Sequence, residues 1–129
     1  MSENSVSEEF ADELVSVCRA AVGDELRSIT YFTEDELDQL YLRSDLDRTA
    51  DLLGFAEIER NGFRADQMYR NSQLGSYRAT IRVFEHGYLT RVILDQQGVW
   101  VTTDSLSMER FEELSTAIKA VLRAHADDE

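Results

Sequence analysis

Between residues 77 and 103 the apolar side chains recur at every second position, while on either side they recur at helical spacing. That switch of period restricts the chain to a sheet of neighbouring strands flanked by helices. Residues 77–85 and 88–95 read as strands joined at a two-residue His86-Gly87 turn, and 99–103 as a third strand after a turn ending in Gly98. With that turn Phe84 faces Leu89, Arg82 faces Arg91, Thr80 faces Ile93 and Arg78 faces Asp95, all on one face. The other face carries Val83, Ile81 and Ala79 against Thr90, Val92 and Leu94. Being the apolar one, this second face is expected beneath helices, with the guanidinium groups turned outward. Trp100 is compatible with either face, because a one-residue slip at Gln96-Gln97-Gly98 moves it across.

Around this block the helical signals are local. A first helix is expected over 6–22, with Ser5 and Glu8 spaced as a capping box and Gly23 as its C-cap. Phe10, Leu14, Val17, Cys18 and Ala21 form its buried stripe. Residues 26–32, rich in β-branched and aromatic side chains, predict a strand. Thr33 and Glu36 form a second capping box, flanked by the staple pair Phe32 and Leu37, so a helix is expected to start at Thr33. Ser44 is expected to cap a further helical segment bearing Leu46, Leu52, Leu53, Ala56 and Ile58 and ending near Asn61-Gly62. Residues 63–76 read as a loop with one helical turn near 66–69. The last helix is expected from Ser107, with Met108, Phe111, Leu114, Ile118, Val121 and Leu122 on one face.

The order predicts an α+β fold, an antiparallel meander sheet flanked by N- and C-terminal helices. In element order it resembles the profilin-like and roadblock group of small sensory and scaffold domains. No repeat, linker or low-complexity block divides the chain, and proline is absent. A single domain over 1–129 is expected, with 1–4 and 126–129 loosely ordered.

The charge narrows the setting. The net charge is −13, with 26 acidic residues against 13 basic ones, and Lys119 is the sole lysine. Such self-repulsion destabilises a compact state at ordinary salt. At 1 M ionic strength the Debye length falls to ~3 Å, and most of that penalty disappears. A halophilic, cytoplasmic protein is the expectation. Non-specific nucleic-acid binding and anionic membranes are disfavoured, since both rest on basic surface. No stretch approaches the ~20 apolar residues of a membrane-spanning helix, and the first residues lack a secretory leader pattern.

Motifs for chemistry are missing. His86 reads as a turn residue and His125 as a helix-end cation, and neither stands in ligand spacing with the other or with Cys18. Cys18 falls on an apolar stripe and reads as an inert core thiol. Asp45, Asp47, Thr49 and Asp51 have calcium-loop spacing, but Ala50 replaces the required glycine and Ala56 the terminal glutamate. No nucleophile elbow, phosphate loop or dinucleotide fingerprint occurs. No catalytic residue, cofactor or metal is therefore expected.

Two segments, YFTEDELDQLYLRSDLD at 31–47 and YRATIRVFEHGYLTRVILDQQGVWVTTD at 77–104, resemble a family of small, acidic, uncharacterised proteins of halophilic archaea. That resemblance implies a halophilic setting and one domain, and carries over no site residue. From the residues themselves, the mixed face of Arg78, Arg82, Phe84, Leu89, Arg91 and Ile93 is the candidate interaction surface. The bland reading is a solvated face whose arginines meet nearby carboxylates. The expected function is a non-enzymatic regulatory or adaptor module of a signalling pathway, acting on a protein partner or as a homodimer. The alternatives are a small-molecule or anion sensor, with its ligand between the sheet and the 33–62 helices, and an enzyme with an unfamiliar carboxylate site.

Overall fold

The computed structural model describes residues 6–48, 52, 54–69 and 71–127. Its elements are α1 (Glu8–Val22), β1 (Leu26–Phe32), β2 (Leu37–Leu42), α2 (Phe55–Met68), β3 (Thr80–Phe84), β4 (Gly87–Leu94), β5 (Gln97–Thr103) and α3 (Met108–Asp127), with a short 3-10 turn over Gly23–Glu25. The five strands form one antiparallel sheet in the order β2-β1-β5-β4-β3. Helices α1 and α3 cover one face. Their Phe10, Leu14, Cys18, Val22, Leu114, Ile118 and Leu122 pack on Ile29, Val92, Val99 and Val101. The other face holds a smaller core of Phe32, Leu89, Ile93 and Trp100 beneath Phe63 of α2.

The amphipathic stripes and caps explain the outer helices. Ser7, not Ser5, caps α1, its Oγ accepting from the Phe10 N–H at 3.1 Å; Ser5 lies outside the described residues. Gly23 ends the helix at φ +59, a conformation that a Cβ would strain. Ser107 caps α3 by accepting from the Arg110 N–H at 3.1 Å. Most of the stripe expected on α3 is covered, but Met108, at its first turn, is exposed.

Three expectations need correction. Thr33 does not start a helix. Its Oγ1 accepts from the Glu36 N–H at 3.0 Å, as a cap would, but its own N–H donates to the Glu36 carbonyl at 3.0 Å and closes a hairpin. The staple pair Phe32 and Leu37 becomes a cross-strand pair, and the chain returns as β2 along β1. Capping boxes and Ser/Thr turns use the same local hydrogen bonds, so strand pairing decides between them.

Second, the helix does not end at Asn61-Gly62. It begins at Phe55 and runs through this pair to Met68, so 63–68 is helix rather than loop. Gly62 is a packing residue: a Cβ there would lie 2.5 Å from Arg91 Cζ and 2.7 Å from Ile93 Cδ1. Residues 44–48 form turns, and the expected helical position Leu53 lies outside the described residues.

Third, the β3–β4 turn is Glu85-His86, with Phe84 opposite Gly87, Arg82 opposite Leu89 and Thr80 opposite Arg91. Gly87 belongs to the strand, because a Cβ there would sit 2.7 Å from the Thr103 carbonyl oxygen of β5. The shift of two positions preserves every side chain's face. The second hairpin turns at Asp95, whose φ is +57, so that β5 already starts at Gln97.

An ion-pair network ties the ends of β2 and β5. Arg43 Nη1 donates to Asp104 Oδ2 at 2.6 Å and Nε to Asp45 Oδ1 at 2.7 Å, while Arg27 reaches Asp104 Oδ1 at 3.4 Å. The hydrogen bond from Arg43 holds the Asp104 carboxyl below the usual carboxylate range. A lowered folded pKa contributes stability above the unfolded value of about 3.9, lost as pH falls through the folded value. Asp104→Asn is expected to lower the melting temperature at neutral pH and to flatten its decline on acidification below about pH 4. Parallel acid profiles for the two proteins would refute this assignment.

Candidate protein-interaction site

The residues expected to face outward lie mostly under α2. Successive positions on this helix turn by 100°, which sends Phe55, Glu59, Gly62 and Phe63 toward the sheet. They land on the face of Leu89, Arg91, Ile93 and Trp100. The same count directs Ile58 toward the β3 edge, and Arg60 toward the β1–β2 turn. There Arg60 Nε donates to the Thr33 carbonyl at 2.7 Å and Nη2 to that of Glu36 at 2.8 Å.

Glu59 organises the interior of this layer. Its side chain is 2 % exposed; Oε1 accepts from Arg91 Nη1 at 2.9 Å and Oε2 from Arg82 Nε at 2.7 Å. Arg91 also donates through Nη2 to Thr80 Oγ1 at 2.8 Å and lies 5.9 Å from the Tyr77 ring centroid. Its Nε has no hydrogen-bond partner among the described residues. One carboxylate thus joins two neighbouring arginines whose mutual repulsion would otherwise be uncompensated. That the arginines meet a carboxylate of the chain agrees with one of the two sequence readings, but Glu59 itself is not evident from motifs. Its signal is positional: it is a charged residue at an inward point of an otherwise apolar helical period.

The candidate set therefore divides. Arg91, Leu89 and Ile93 are buried, and the expectation that their face looks to solvent is corrected. The even–odd alternation holds, but the fold supplies helices for both faces. Arg82 is partly exposed at the rim of α2, and Phe84 is half exposed with its ring stacked 6.5 Å from Phe55. Arg78 does not face Asp95. The strand starts only at Thr80, and before it Arg78 crosses to α3, lining a cleft with Ser115, Lys119 and Arg123.

What remains at the surface flanks the β3 edge: Phe84 of β3 and Ile58 of α2 on the α2 side and Val83 on the opposite face of the sheet, each at least half exposed. β3 is an outer strand of the sheet, and its pairing with β4 is regular. β2, the opposite edge, pairs through a bulge between Ile29 and Thr30. A regular edge strand without proline offers unpaired N–H and C=O groups to another strand.

The other chemistry-bearing residues are dispersed. Cys18 is enclosed in the first core, where burial pushes its thiol up to about 12. His86 is exposed beside Glu85, whereas His125 lies against Phe10 with ring centroids 4.1 Å apart. Asp45 and Asp47 lie in the β2–α2 connection; Thr49 and Asp51 fall outside the described residues. No helix among the described residues is long and apolar enough to cross a membrane.

A family model described as a domain of unknown function (DUF7522) matches residues 12–123. The chain belongs to this family. No curated protein matches the chain significantly. Among solved structures the DUF7522 chain is similar to Myxococcus xanthus MglB, with a TM-score of 0.57 and 13 % sequence identity over 94 % of this chain and 95 % of that one. The likeness is one of fold, and it agrees with the profilin/roadblock-like outline expected from element order.

Proposed function

We propose that this DUF7522 domain is a non-enzymatic regulatory or adaptor module that acts through protein–protein contacts, as a homodimer joined along β3. The observation carrying this reading is a regular, unpaired sheet edge flanked by exposed apolar side chains, Ile58 and Phe84 on the α2 side and Val83 on the other. A second copy is the occupant that satisfies both parts. Two β3 strands related by a two-fold axis run antiparallel, so each completes the other's hydrogen bonding while the apolar side chains flanking the edge meet their counterparts on each face. Residues 79–84 contain no carboxylate, so this edge is spared the acidity of the remaining surface. Within the candidate set, Arg82 and Phe84 are the residues proposed for the contact. The fold shared with MglB supports a module of this kind. The acidic, lysine-poor composition supports a salt-rich cytoplasm, and one domain accounts for the length of the chain.

The test is solution mass by light scattering. The native chain is expected at about twice 14.8 kDa. Ile58→Asp combined with Phe84→Asp is expected at the monomer mass with an unchanged circular dichroism spectrum, since both side chains are exposed. A native chain that stays monomeric at high concentration in molar salt would overturn the proposal.

A further inference from the structure

A second surface carries a different chemistry. Ser115, Lys119 and Arg123 follow one another at four-residue intervals along α3 and so share one side of the helix. Together with Thr116 and Ala120 of α3, and Arg78 from the approach to β3, they line a cleft of about 180 Å³. Most of the described arginines are committed. Arg19, Arg27, Arg43, Arg82 and Arg91 pair with carboxylates, while Arg60 and Arg110 reach backbone carbonyls. Arg78, Lys119 and Arg123 have no ion-pair or hydrogen-bond partner among the described residues, as is also true of the dispersed Arg48 and Arg64. Three cations, including the only lysine, thus share one cleft in a chain with 26 carboxylates and 13 basic residues.

Leaving them together has a cost. Like charges four residues apart on a helix destabilise it by about 0.2–0.5 kcal/mol. Glu112 lines an adjoining cleft with Arg78, Phe111 and Ser115 and makes no ion pair with Arg78, and Asp127 stands one turn beyond Arg123 on α3 without an ion pair to it among the described residues. The cleft also presents the Thr116 hydroxyl, able to donate a hydrogen bond, while the Ser115 hydroxyl already donates to the Glu112 carbonyl at 3.3 Å. Three cationic groups and one uncommitted hydroxyl exceed the needs of one carboxylate and suit a tetrahedral dianion. Volume limits the ligand further, since sites for drug-sized molecules run to about 300–1,000 Å³.

We propose that this cleft binds a phosphoryl group, either as inorganic phosphate or at the end of a phosphomonoester. Lys119 and Arg123 supply charge from α3, Arg78 closes the side toward β3, and Thr116 donates a hydrogen bond. This site lies across the sheet from the α2 layer, on the opposite side from the ligand position expected between the sheet and the 33–62 segment. It stands independently of the β3 dimer, because Lys119 and Arg123 are not among the residues flanking that edge.

The test is an amide-shift titration of the full chain. O-phosphoserine, with a second phosphate pKa of about 6, and sodium phosphate, whose second ionisation lies higher, are added separately at a mildly alkaline pH where both are dianions. Sodium chloride at equal ionic strength controls for screening of the negative net charge. Saturable shifts are expected at Ser115, Thr116, Lys119 and Ala120. The affinity should fall at least tenfold in Lys119→Gln combined with Arg123→Gln, whose side chains have no ion-pair or hydrogen-bond partner among the described residues. Tighter binding of O-phosphoserine would support the site and point to a phosphomonoester; tighter binding of inorganic phosphate would support it and point to the free ion. Shifts matching those of chloride, or an unchanged affinity in the double variant, would overturn the proposal.

Discussion

Glu59→Gln is expected to destabilise the protein by about 3–5 kcal/mol, the range for removing one partner of a buried ion pair. The replacement preserves shape and removes charge. Arg91 is then left as a buried guanidinium with Thr80 Oγ1 and the Tyr77 ring for company, its Nε already without a partner among the described residues. For a chain of this length the corresponding fall in melting temperature is roughly 10–20 °C. The three members of the cluster should not be equivalent. Arg82 is 39 % exposed and can turn its charge into water, so Arg82→Met should cost about 1 kcal/mol or less. Arg91, with its side chain 8 % exposed, has no such escape.

The expected loss is also local. α2 rests on its layer through this cluster, the aromatic contacts of Phe55 and Phe63, and the two hydrogen bonds from Arg60. Hydrogen exchange in Glu59→Gln should therefore accelerate first along α2, while α1 and α3 retain protection. Glu59→Leu combined with Arg91→Met should recover most of the stability, because a well-packed apolar pair can match a buried ion pair. A loss below about 1 kcal/mol in Glu59→Gln would show that water or a shifted Arg82 compensates Arg91, and the cluster would not be what seats the helix.

The features readable from the chain were those governed by local period and caps. The α1 stripe, β1, β4, the start of α3 at Ser107 and the sorting of even and odd positions across the β3–β4 hairpin all follow from such patterns. What escaped depended on distant partners. Thr33 makes the hydrogen bonds of a cap, but β1 offers an edge to Leu37–Leu42 and so the segment extends. Asn61-Gly62 has the chemistry of a helix stop, yet Gly62 sits within α2 because Arg91 and Ile93 fill the space of its missing Cβ. The candidate site was legible as a mixed face of arginine and apolar residues. That α2 covers half of it required knowing that Glu59 meets those arginines. The exposed remainder shifted to the β3 edge, where Ile58 joins Phe84.

Trp100→Ala should be about as damaging, at about 3–5 kcal/mol, for an apolar reason. Trp100 is fully buried near the middle of the sheet, with Thr30 opposite it on β1 and Arg91 opposite it on β4. Its ring lies 5.3 Å from that of Phe32 and 6.1 Å from that of Phe55, so it supports the floor and the roof of the α2 layer together. Phe32 in turn fills the space over Gly98, where a Cβ would lie 2.5 Å from its ring, leaving little room for the neighbours to close a void. A cavity that cannot collapse carries the full penalty of lost contacts. Because Trp100 is the sole tryptophan, the native protein reports this layer through its own fluorescence, and urea unfolding should be a single transition by fluorescence and by circular dichroism. An earlier fluorescence transition in native protein would mean that the α2 layer opens before the α1–α3 face. A loss below about 1 kcal/mol in Trp100→Ala, measured by circular dichroism, would mean that α2 settles into the gap, and rigidity of the layer could not be what holds the β3 edge in place.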